Sequence, residues 1–178
     1  IQKANLKSYS AFRRDPDRQA CVGIGAGVTL PEKEGGSVSE LLHPLLFDLL
    51  NRPGPLWLVG IDLSETNLNK ANLNGAKLAE ANLHHASLQR AELGGADLSD
   101  ADLSQANLTS AFLGEANLAW ANLSGAQLSH VNLLKAYLPK ADLSGANLEQ
   151  ALLSQARLTG AVLVEANYAG LVEAAEGK

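Results

Sequence analysis

The sequence predicts an all-β solenoid, and three observations predict it. From Ile61 to Gly170 one five-residue phrase runs twenty-two times without a slip of phase. Its third residue is Leu in every pentad from Leu63 to Leu163, with Tyr168 in the last; two residues earlier stands Ala in nineteen pentads and Ile61, Thr66 or Val131 in the others. The two residues after each Leu are rich in Ser and Gly, as in Ser124-Gly125 and Ser144-Gly145. Residues two apart in an extended segment project to the same side, so Ala and Leu point inward together while the residue between them points out. Ser and Gly then turn the chain. A unit this short cannot bury its own apolar face, so it must stack on its neighbours.

Residues 1–60 are an N-terminal appendage of different character. Between Ala20 and Leu30, Gly23, Gly25 and Gly27 alternate with apolar residues. No helix carrying the rest of a nucleotide fingerprint follows, so this stretch reads as a strand or close-packed loop. Ser37-Val38-Ser39-Glu40 has capping-box spacing, and Leu41, Leu42, Leu45, Leu46, Leu49 and Leu50 recur at helical intervals, which predicts a helix over about 38–51. Pro44 either kinks that helix or stands in its first turn. Leu42, Leu45, Leu46 and Leu49 are expected to lid the open end of the solenoid, with Trp57 packed beneath; a partner-binding or membrane-surface helix is the other reading. Leu56 to Gly60 is already in phase with the array and predicts a degenerate first side. Residues 61–170 are the repeat domain, and 171–178 form a short C-terminal tail whose Leu171 and Val172 would cover the last coil.

Ala71-Asn72-Leu73-Asn74-Gly75 and Ala101-Asp102-Leu103-Ser104-Gln105 resemble the A(D/N)LXX phrase of the pentapeptide-repeat family, and the resemblance extends over 110 of the 178 residues. It implies a right-handed quadrilateral β-helix with one pentad per side, hence about 5.5 coils, and a rod of roughly 26 Å at ~4.8 Å per coil. Thirteen of the twenty-two central residues are Asn or Asp. Stacked coils place these in columns, where amide ladders are expected. The resemblance also bears on function. Many bacterial members have long Leu-centred arrays without an assigned activity, which favours a non-catalytic structural or protein-interaction module that uses flat walls. Other members mimic DNA and bind DNA gyrase in quinolone resistance, and this is the alternative. Against it stand the short array, the absence of inserted loops and the lack of a C-terminal dimer helix.

Composition is consistent with a solenoid, because Leu and Ala fill the interior and aromatic residues make up 4% of the chain. No run of about eighteen apolar residues occurs, so no membrane span is expected. Cys21 is the single cysteine and excludes an intramolecular disulfide. No Met occurs even at position 1, which removal of a leader and trimming explain equally. A cytoplasmic location is favoured, with export left open.

With four pentads per coil, the outward residues fall on four faces. The first carries Asp62, Glu65, Asp102, Asp142 and Glu165 with no Lys or Arg, and the others are mixed. Ser104, His84 and Asp102 fall near one another there, but a flat wall supplies neither an oxyanion hole nor shelter from water, so no catalytic residue is assigned. Asp62, Asp102 and Asp142 stand two coils apart, about 9.6 Å, too far to share an ion. No metal and no cofactor are expected. On the third and fourth faces the outward residues turn apolar: Phe112, Leu134 and Leu152, then Tyr137 around the corner, and Trp120 beside Lys140, where a cation–π contact is expected. This patch predicts a contact site for another protein or for weak self-association, unless residues 9–30 cover it or it is scattered surface apolarity. Direct nucleic-acid binding is not expected.

Overall fold

The computed structural model describes residues 55–171, so the expected helix over 38–51, its cap residues Leu42, Leu45, Leu46 and Leu49, and residues 172–178 of the tail lie outside the described residues. Within them the chain winds as a continuous four-sided β-coil. Every bridge is parallel and joins residues twenty apart, from Trp57↔Lys77 through Asp102↔Asn122 to Asn147↔Asn167. Four pentads therefore make one coil. The first wall holds 61–65, 81–85 and so on by twenties; the second begins at 66–70, the third at 71–75 and the fourth at 76–80. Coil one is 61–80, and coils two to five follow by twenties. The pentad 56–60 already pairs in phase, with the Leu58 amide on the Lys77 carbonyl and the Gly60 amide on the Ala79 carbonyl. Trp57 is its outward central residue, half-buried in the column that continues through Lys77.

One pentad accounts for all five of its backbone N–H groups. In 102–106, the amide of Asp102 donates to Ala81 O in the coil before, and those of Leu103 and Gln105 donate to Asn122 O and Ser124 O in the coil after. The Ala106 amide closes the turn on Leu103 O at 3.1 Å. The Ser104 amide, which the ladder cannot reach, donates to Asp102 Oδ1 at 2.9 Å. Central Asn and Asp are therefore mainly local turn acceptors, as at Asn107, Asn117, Asn122, Asn132 and Asn147. The expected amide ladder exists only as isolated rungs: Asn82 to Asp62, Asn117 to Asp97, Asn122 to Asp102 and Asn167 to Asn147.

The inward column of Leu and Ala, with Val131, is buried without a break from Leu68 to Ala151, while Ile61 and Thr66 before it are only partly covered. Thr66 tolerates its inward position because its hydroxyl donates to Leu63 O at 2.6 Å. From Leu153 onward the inward residues are only partly buried, and Tyr168 is exposed. The fifth residue of every pentad has a left-handed φ, glycine or not, from Gly60 at 64° to Gly170 at 67° and including Trp120 at 61°. This matches a type II turn, whose third residue requires positive φ.

Candidate functional site

The third wall departs most from the rule that outward residues are polar, and the departure is built from two glycines. Phe112 stands at the central position of coil three, where an Asn or Asp side chain would cap the turn. Its ring lies across the fourth position of its own pentad and of the pentad one coil earlier, both of which are glycine. A Cβ on Gly94 would sit 2.5 Å from the ring and one on Gly114 2.7 Å from it. The ring thus rests on bare backbone. Asn74 steadies the same place by accepting the Gly94 amide at 2.7 Å. Gly95, Glu115 and Leu134 complete an open recess of about 410 Å³ around the ring. Phe112, Leu134 and Leu152 are each a little over a third exposed.

Around the corner, the fourth wall adds aromatic rings with cations on them. Tyr137 follows Asn117 in its column, and the Arg157 guanidinium lies 5.4 Å from the Tyr137 ring. Tyr137 cannot cap its turn, and the residue that would need the cap is Pro139, which has no N–H to satisfy. Trp120 is 56% exposed and carries Lys140 Nζ at 4.0 Å from its ring centroid, as the sequence predicts. All five candidate residues, Phe112, Leu134, Leu152, Tyr137 and Trp120, are exposed in coils three to five. Phe112 and Leu134 share one recess, while Tyr137 and Trp120 each pair with a cation. Gly94, Gly114 and Arg157 complete this surface. The sequence carries one sign of the two glycines, since glycine at the fourth position occurs in the array only at Gly94 and Gly114 and brackets Phe112, but it carries none for Arg157. Val162, Val164 and Tyr168 in the last half coil are exposed as well.

The first wall is acidic, but its aspartates are occupied by the fold. Asp62 accepts from the Ser64 amide and hydroxyl and from Asn82, and Asp102 from the Ser104 amide and hydroxyl and from Asn122. The hydroxyl and amide of Ser144 hold the Asp142 carboxyl below the usual carboxylate range. Glu65 and Glu165 sit at left-handed corners, exposed. His84 Nδ1 lies 2.7 Å from Ser104 Oγ, and that hydroxyl lies 2.6 Å from Asp102 Oδ1. Asp102 can only accept here, so the Ser104 proton points to it and His84 must donate from Nδ1. Such a chain runs opposite to nucleophile activation, in which the imidazole would accept the serine proton. Among the described residues no group of three or more His, Cys, Asp or Glu side chains comes together as a metal-ligand set, and no helix is long and apolar enough to cross a membrane. The second wall holds a smaller polar recess of about 240 Å³ lined by Asn69, Lys70, Gln89, Arg90, Thr109 and Ser110.

The family model for pentapeptide repeats matches the chain in eight copies, over residues 58–95, 86–125, 96–133, 116–155 and 141–167. No curated protein matches it. Among solved structures, the chain is similar to HetL, a pentapeptide repeat protein involved in heterocyst differentiation regulation from the cyanobacterium Nostoc sp. strain PCC 7120, at 28% identity over 65% of this chain and 77% of that one, with a TM-score of 0.47. It is also similar to the pentapeptide repeat protein Rfr23 from the cyanobacterium Cyanothece 51142, at 27% identity over 71% of this chain and 96% of that one, with a TM-score of 0.48. A second Nostoc PCC 7120 pentapeptide repeat protein is 35% identical over 58% of this chain and 81% of its own, with a TM-score of 0.48.

Proposed function

Because the chain belongs to the pentapeptide-repeat family, we propose that it is a non-catalytic protein-interaction module, a right-handed rod that offers a partner its adjoining third and fourth walls. The observation that carries this reading is the gathering of Phe112, Leu134, Leu152, Tyr137 and Trp120, all exposed, on two adjoining walls of an array whose outward positions are otherwise mostly polar. Exposed apolar patches rimmed by polar residues mark interaction sites when they extend over a few hundred Å². The glycine floor under Phe112 supports the reading further, since the ring is accommodated in a defined place. A non-catalytic role is supported by the His84–Ser104–Asp102 chain, in which the hydroxyl proton is already directed to a carboxylate.

The test is the double variant Phe112→Asn with Leu134→Ser, which restores polar residues at exposed positions and leaves the inward column untouched. It should unfold like the parent while losing the parent's captured partner or, if the partner is a second copy, its self-association by sedimentation. Partners and oligomeric state unchanged from the parent would remove the patch from consideration. DNA mimicry draws support from the first wall alone, because the fourth wall turns basic in coils four and five. Inhibition of gyrase supercoiling at micromolar protein would nevertheless replace the present reading with that one.

A further inference from the structure

We propose that the adjoining third and fourth walls in coils three to five receive an acidic, apolar segment of a partner protein. Carboxylates of that segment meet Lys140 and Arg157 while its apolar side chains settle on Phe112 and Leu134. The inference rests on the interaction-module reading and narrows it to one partner chemistry.

Charge is sorted along the fourth wall. Its N-terminal half carries Glu80, Asp97 and Asp100 beside Lys77, whereas its C-terminal half carries Lys140 and Arg157 and no acid. Lys135 stands on the corner with the third wall, one coil after Glu115, and these two offset each other. The repeat array holds only six bases against eleven acids, so Lys140 and Arg157 on the C-terminal half of the fourth wall, Arg157 at its centre and Lys140 at its edge with the first wall, are a local concentration of positive charge in an acidic chain. None of Lys135, Lys140 and Arg157 forms an ion pair among the described residues. Two of them lie over rings instead, Lys140 on Trp120 and Arg157 on Tyr137. A ring face positions a cation without neutralising it, so the charge stays open to an incoming carboxylate. Beside these cations the recess of Phe112, Gly94, Gly114 and Leu134 offers apolar surface that a purely ionic ligand would leave wet.

Both features together select the ligand. A basic segment would meet like charge, and a neutral apolar one would leave two cations unanswered. Nucleic acid could use rings and cations as well. Here, however, a strand running past Trp120 would reach the first wall, whose formal charges are all acidic, and a long polyanion would be repelled.

Trp120 supplies the reporter once Trp57 is replaced by Phe. The probes are a short synthetic peptide alternating Glu with Leu and Phe, the same peptide with Lys for Glu, and oligothymidylate. The Glu peptide should bind about tenfold more tightly than the Lys peptide at low salt, and the difference should shrink as salt rises. Lys140→Ala with Arg157→Ala should abolish the preference, whereas Lys70→Ala with Arg90→Ala on the second wall should leave it. Equal affinity for both peptides, tighter binding of oligothymidylate, no binding of any probe, or a preference that survives Lys140→Ala with Arg157→Ala each overturns the proposal. Equal affinities that are still lost in Phe112→Asn with Leu134→Ser would spare the interaction-module reading and remove only the acidic partner.

Discussion

At the scale of single residues, the outward centre of each pentad answers a backbone need before it answers a partner. The fourth amide of the pentad lies beyond the reach of the ladder, and a short side-chain carbonyl or carboxylate two residues back is the nearest acceptor. Asp142 tests this directly. Ser144 lowers its pKa through its hydroxyl and amide, so a carboxyl titration followed by NMR should place its midpoint below the ordinary value of about 3.9, and Ser144→Ala should raise it. Because the folded value is the lower one, the stabilisation is complete above the ordinary value and is lost as pH falls through the folded one. Where the centre cannot cap, the neighbourhood changes with it: Pro139 lacks the donor, and Gly94 and Gly114 make room for Phe112. Gly114→Ala should cost about 1 kcal/mol through crowding of the ring. In a Phe112→Asn background that cost should largely vanish, and a double-mutant cycle by denaturant unfolding measures the difference.

At the scale of the pentad, the inward pair was fully legible, because Ala and Leu two apart admit one arrangement in an extended segment. The turn was legible only as a turn. Its left-handed fifth residue is non-glycine in most pentads, and the readable sign was negative: no Val, Ile, Thr or Pro occurs at that position from Gly60 to Gly170. β-branched residues are the ones that tolerate positive φ least. Ser110 is exposed with φ of 59°, so Ser110→Val should destabilise by about 1–2 kcal/mol while Ser110→Gly should be neutral or stabilising; thermal unfolding of the two variants separates them. The Asn columns were legible as columns but not in their bonding. A side chain that can bond its own turn or the next coil does not declare which from sequence, and geometry favours the nearer amide. The recess beside Phe112 was the least legible part. It depends on a glycine twenty residues earlier in the chain, Gly94 against Gly114, and becomes visible only once coils are laid over one another.

For the whole molecule, fold and surface are separable, since one interior phrase repeats while the outward residues vary. Removing one entire pentad, residues 121–125, should preserve the Ala and Leu phase and cooperative unfolding, yet turn everything downstream by one wall. Phe112 and Leu134 would then stand on different walls, and any binding that needs both should disappear. Removing Asn122 alone should instead break the phase and the fold, because a one-residue slip sends inward side chains to the wrong side; circular dichroism and capture of the same partner check both variants. The uniform twenty-residue spacing of the bridges also governs how such a rod is assembled in time. No pairing requires the ends of a longer loop to meet, and closure entropy depends on loop length, so every coil after the first pair is added against the same barrier. The slow event is the first coil-on-coil contact, which has no template. A ribosome adding about 5–20 residues per second delivers a new coil every few seconds, while loops of about ten residues close in about 10–100 ns. Each coil can therefore be laid down as soon as it emerges, before the walls that a partner reads have been completed.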